Sequence, residues 1–156
     1  DRAEFARTGK DDDERRLTAK GAERMRQGAL GLQSLLGRVD FLATSPLRRA
    51  RQTADIVQDA LKAPKPMVTD ALAPGRGPEA LAAWLEPLPA DATVAVIGHE
   101  PDLSELVGWL LSGQARSLVA LKKGAACLLD VAAPPGPGNA QLLWLLTPKQ
   151  LRTLGG

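Results

Sequence analysis

The chain has one cysteine, Cys127, and one histidine, His99. A lone cysteine excludes an internal disulfide and any Cys-rich metal site, which suits a reducing compartment such as the cytoplasm. With one histidine and no second cysteine, a zinc site would need several carboxylates, and neither HExxH nor CxxC spacing occurs. Aromatic residues are few: three Trp and two Phe, none alternating with Lys or Arg as base-stacking platforms would. Charge of one sign is lacking too, since 20 basic residues are interleaved with 18 acidic ones for a net +2. A nucleic-acid partner is therefore not implied. Apolar runs fall far short of the roughly 20 residues of a membrane span, so no membrane partner is expected either.

What is present fits one globular domain. At 156 residues, 44% apolar and 24% charged, the chain is long enough to bury a real core without a staple. The start, "DRAEFARTGKDDDERR", has neither helical nor strand period and reads as an exposed loop. From Thr18, a plausible N-cap, Ala22, Met25, Ala29, Leu32 and Leu36 recur at helical spacing, with Gly37 as the expected stop. "VDFLATS" reads as a strand running into a helix, with Ser45 as cap and Pro46 in the first helical position. Leu47, Ala50, Ala54, Val57 and Leu61 form the apolar stripe of that helix.

A Pro- and Gly-rich connector follows, with a brief extended piece at Met67 to Thr69 and a short helix around Leu81, Trp84 and Leu85. "ATVAVIG" is the strongest strand signal. The helix after it carries Leu103, Leu106, Val107 and Leu110 on one face, and Asp102 and Glu105 have capping-box spacing. "GAACLLDVA" and "QLLWLLTP", joined by a turn-rich segment, predict an antiparallel pair. Alternating strands and helices predict an α/β three-layer sandwich, a mostly parallel central sheet with helices on both faces.

Two strand exits qualify as ligand sites, because open α/β sheets bind ligands beyond the carboxyl ends of their strands, where helix N-termini offer unpaired N–H groups. One is "TSPLRR", with Arg49 in the first turn of its helix. The other is "VAVIGHEPDLS", with His99 at the strand exit. Helical spacing separates Arg49 from Arg48 and Arg51, which are expected in solvent, Arg51 pairing with Asp55. A guanidinium at Arg49 suits bidentate grip of a phosphate. Cys127, inside an apolar run, reads as a core residue, and a thiol phosphatase is excluded because position 133 is Ala rather than the required Arg. Lys122 and Lys123 read as protective charges flanking a strand.

Taken together, "DDERRLTAKG", "TSPLRRARQTA", "ALAPG" and "VAVIGHEPDLS" resemble the histidine phosphatase superfamily (phosphoglycerate mutase-like), specifically its small SixA-type phosphohistidine phosphatases. The resemblance spans most of the chain. It implies a two-step phosphoryl transfer in which a histidine attacks phosphorus and is then freed by water, with no metal or organic cofactor. Two arginines and a second histidine would clamp the phosphoryl oxygens. By motif, Arg49 is the clamp arginine and His99 the second histidine. Arg15 matches an arginine brought to the same pocket, with Asp12 as its orienting partner, and Glu100 is a candidate general acid. The implied partner is a protein carrying phosphohistidine, and phosphate or sulfate would occupy the pocket.

The family's nucleophile lies in an "RHG" or "RHA" motif at the end of its first strand, and these 156 residues hold neither. The chain opens in mid-loop without Met, and a sheet lacking that strand would leave a row of backbone groups unpaired. A strand and an "RH" motif upstream of Asp1 are therefore expected. The alternatives are a small-molecule phosphomonoesterase of the same superfamily and a degenerate relative that binds phosphate without turning it over.

Overall fold

The computed structural model describes residues 16–156. Two short parallel strands set its layers. β1 (Phe41–Thr44) pairs with β3 (Val94–Ile97) in the register Phe41 to Val94 through Thr44 to Ile97, and β2 (Met67–Val68) pairs with the other edge of β1. Successive strand residues point to opposite faces. Leu42, 0% exposed, meets Ala29, Val39, Val57 and Leu61 on one face, where Ala95 and Ile97 of β3 join it. Ala43 points the other way, into Leu72, Leu81, Leu106 and Trp109, with Val96 beside it.

The helices follow from those two faces. α1 (Ala19–Leu35) and α2 (Arg48–Leu61) cover the Leu42 side, while α3 (Pro78–Leu85) and α4 (Asp102–Ser112) cover the Ala43 side. The fold is thus the expected α/β sandwich. All five residues of the α2 stripe are buried, and burying each larger aliphatic contributes about 1.5–3 kcal/mol. β4 (Ala126–Val131) and β5 (Ala140–Leu146) form the expected antiparallel pair, with an irregularity between Leu128 and Leu129. Among the described residues they make a separate two-stranded sheet.

Several element ends differ from expectation. Thr18 does cap α1, accepting from the Gly21 N–H at 2.9 Å. The helix stops at Leu35, however, with Leu36 extended, so Gly37 is not the stop. α2 begins at Arg48 with Leu47 as N-cap, leaving Ser45 and Pro46 outside the helix. The reason is that Ser45 still belongs to the sheet: its N–H donates to the Ile97 carbonyl at 3.0 Å. No Asp102–Glu105 capping box forms; α4 has Pro101 at its N-cap, and Asp102 instead accepts the Gly75 N–H at 2.9 Å.

A fifth helix, α5 (Pro148–Gly155), was not expected from the apolar pattern. Its signal is local: Thr147 and Gln150 make a reciprocal capping box, and Pro148 opens the helix. It lies against α1 with backbones in contact. A Cβ at Gly31 would fall 1.9 Å from the Leu151 carbonyl oxygen, so only glycine permits this approach.

Candidate functional site

Because β1 and β3 run parallel and adjacent, both carboxyl ends open onto the same edge of the sheet. Thr44 is level with Ile97, which puts Ser45 beside the exit to Gly98 and His99. There the His99 Nε2 lies 2.7 Å from Ser45 Oγ. The two residues are 54 positions apart in sequence. Ser45 is 0% exposed and His99 half-buried. Ser45 Oγ also accepts the Leu47 N–H at 3.2 Å, so one hydroxyl joins the end of β1, the entry to α2 and the histidine ring.

Arg49 is the second residue of α2, four positions after Ser45, and is half-buried. The first turn of α2 carries no acidic residue. The partial positive charge of this helix N-terminus therefore adds to the guanidinium, which favours an anion at this edge. One turn along, Gln52 Oε1 accepts the Leu17 N–H at 2.8 Å and pins the approach to α1 against α2. Arg15 and Asp12 lie outside the described residues. Arg48 is half-buried rather than in solvent. Arg51 and Asp55 are both exposed and, among the described residues, no ion pair joins them.

On the other side of His99 is a hollow of about 20 Å³, lined in part by Ala73, Gly77, Pro78, Gly98 and Leu103. It is water-sized. The connector forming this rim is tied down twice, by the Gly75–Asp102 hydrogen bond and by an Arg76–Asp70 ion pair at 2.9 Å.

Glu100 follows His99 and bonds to Ser104. Its Oε1 accepts the Ser104 N–H at 2.8 Å, and its Oε2 accepts the Ser104 hydroxyl, which is fully buried. The Leu103 N–H donates to the His99 carbonyl at 2.8 Å. With both oxygens engaged in the first turn of α4, Glu100 caps the helix and fixes the His99 turn. That geometry gives Glu100 a positioning task at the entry to α4, beside the general-acid role that the resemblance implies.

Cys127 lies on β4, half-buried. Burial pushes its thiol above the ordinary range, and the Glu100 carboxylate adds to the effect. It therefore stays protonated at neutral pH, although Cys127 is only half-buried and stands outside both core clusters, not in the core as expected. Lys122 and Lys123 are exposed just ahead of the same strand. No helix among the described residues is long and apolar enough to cross a membrane.

Known proteins resemble this chain in sequence and fold. Residues 4–73 match the histidine phosphatase superfamily (branch 1). An uncharacterized protein of Picosynechococcus sp. (strain PCC 7002) is 41% identical over 155 residues, covering 97% of this chain and 92% of its own. The phosphohistidine phosphatase SixA of Escherichia coli (strain K12) is 29% identical over 144 residues, covering 90% of this chain and 86% of its own. The solved structure of the protein histidine phosphatase SixA complexed with tungstate superposes with a TM-score of 0.81 at 28% identity, over 94% of this chain and 92% of that one. The sequence motifs, the sandwich and these relatives agree: the chain belongs to the histidine phosphatase superfamily, as a SixA-type member.

Proposed function

We propose that the protein is a phosphohistidine phosphatase that acts in the cytoplasm on a phosphorylated signalling protein, through a phosphohistidine enzyme intermediate. The observation that carries this reading is the meeting of His99 and Ser45 at the shared strand edge, beside the arginine-bearing N-terminus of α2. In the first step an enzyme histidine nitrogen bonds to phosphorus, the substrate P–N bond breaks, and the departing imidazole takes up a proton. In the second, water attacks phosphorus, the enzyme P–N bond breaks, and inorganic phosphate leaves. Arg49, Arg15 and His99 hold the phosphoryl oxygens and stabilise their charge in both transition states, with Asp12 orienting Arg15.

The nucleophile must be a histidine other than His99, and the 156 residues hold no second one. The family resemblance assigns that role to the histidine of an "RHG" or "RHA" motif. The same single-histidine observation favours a second reading, a protein that binds phosphate without turnover. Incubating the gene product with a protein carrying radiolabelled phosphohistidine separates the two. Release of phosphate, with label passing transiently to an enzyme histidine, is the expected result. Tungstate binding without release would establish the second reading instead, and faster release from small phosphomonoesters would move the substrate to metabolites.

A further inference from the structure

Ser45 is fully buried, and its hydroxyl oxygen has two polar neighbours, the Leu47 N–H at 3.2 Å and His99 Nε2 at 2.7 Å. An amide N–H can only donate, so the serine oxygen is the acceptor in the first contact. The hydroxyl proton then needs an acceptor of its own, and burial withholds water as a substitute. His99 Nε2 is the acceptor within reach. A ring nitrogen that accepts a hydrogen bond carries no proton, so the proton of the neutral imidazole sits on Nδ1.

We infer that Ser45 is a positioning residue that holds neutral His99 as the Nδ1–H tautomer. Among the described residues every buried side-chain polar atom has a partner, and this assignment also gives the Ser45 hydroxyl proton an acceptor. With Nε2–H, two donors and the Ser45 proton would meet at one oxygen, and that proton would be left in the interior without an acceptor. The consequence for chemistry rests on the phosphatase reading: in this tautomer the ring proton that a phosphoryl oxygen could accept is the one on Nδ1. The backbone supports the same end, since the Ser45 N–H and the Leu47 N–H lock the serine to β3 and to the entry of α2.

The test uses the chain itself, without turnover, so its failure and the failure of the phosphatase reading are separate events. Labelling with ¹⁵N-histidine, with His99→Gln as the assignment control, identifies the His99 imidazole in the spectrum. Long-range ¹H–¹⁵N correlation is recorded about two pH units above the ordinary histidine pKa of about 6.5. The expected pattern is a protonated Nδ1 and an unprotonated Nε2. In Ser45→Ala the pattern shifts toward the Nε2–H form that free imidazole side chains favour in water. A wild-type spectrum showing Nε2–H overturns the inference, as does a folded Ser45→Ala variant that keeps the wild-type pattern. Should Ser45→Ala fail to fold, the wild-type spectrum decides alone.

Discussion

Truncating Glu100 tests its role as a helix cap. Ser104 is fully buried and sends both its N–H and its hydroxyl to the Glu100 carboxylate. In Glu100→Ala the hydroxyl is left as a buried donor without an acceptor, which costs about 1–3 kcal/mol. The N–H loses its cap at a further cost of about 0.5–2 kcal/mol. Water reaches part of the vacated space, because Glu100 itself is exposed, so the expected loss is about 2–4 kcal/mol. For a domain of this length that lowers Tm by about 5–15 °C.

The double variant sharpens the test. Replacing both partners by apolar groups of similar shape is nearly neutral, whereas removing one leaves the other unsatisfied. Glu100→Ala/Ser104→Ala should therefore recover part of the Tm that Glu100→Ala loses, a coupling read from a double-mutant cycle. Glu100→Gln keeps one carbonyl acceptor and should cost about 1 kcal/mol. A Glu100→Ala variant melting within about 1 °C of wild type, or strictly additive single losses, would refute the capping role.

Other predictions follow from packing, charge and the site. A Cβ at Gly108 would lie 1.8 Å from the Arg116 carbonyl oxygen, so Gly108→Ala should cost at least about 1–3 kcal/mol by thermal melting, whereas Gly37→Ala, with nothing within 4 Å, should be neutral or slightly stabilising. Since burial raises the Cys127 thiol, the unfolded chain loses that proton first. Above the ordinary thiol value of about 8.5 the folded state binds more protons, and stability falls as pH rises. Urea melts should show that decline and show it flattened in Cys127→Ala. Arg49→Ala and His99→Ala should each weaken tungstate binding about 10- to 100-fold by calorimetry, the worth of one charge-assisted hydrogen bond, with far-UV CD unchanged.

Local periodicity made much of the fold readable. The α2 stripe, from Leu47 to Leu61, is buried at every predicted position because a helical repeat needs only its own sequence to declare a face. Helix ends were less readable where a distant segment competes for the same group. Ser45 looks like a cap by spacing, yet the Ile97 carbonyl, 52 residues on, keeps it in the sheet. Asp102 looks like a cap as well, but Gly75 arrives from 27 residues away and takes its carboxylate, leaving Ser104 to Glu100. The Thr147–Gln150 box of α5 was readable in principle, being wholly local. His99 and Arg49 were placed at strand exits from sequence. The contact between His99 and Ser45 was not, since it depends on which strands are neighbours and in what register.

That register ties the precision of the site to the core. Sliding β1 by one residue against β3 would exchange Leu42 and Ala43 between the two faces. Leu42 would enter the side packed by Leu81, Leu106 and Trp109, and Ala43 would leave a void against Val57 and Leu61. Each error costs on the order of 1–3 kcal/mol or more. The same slip would carry Ser45 one residue, about 3.3 Å, along the strand. A 2.7 Å hydrogen bond to His99 would not survive that movement. The difference in size between two adjacent strand residues, one large and one small, therefore also sets where the ring nitrogen of His99 finds its partner. A buried serine at the end of β1 can orient that histidine because the layers on either side hold the strand in one register.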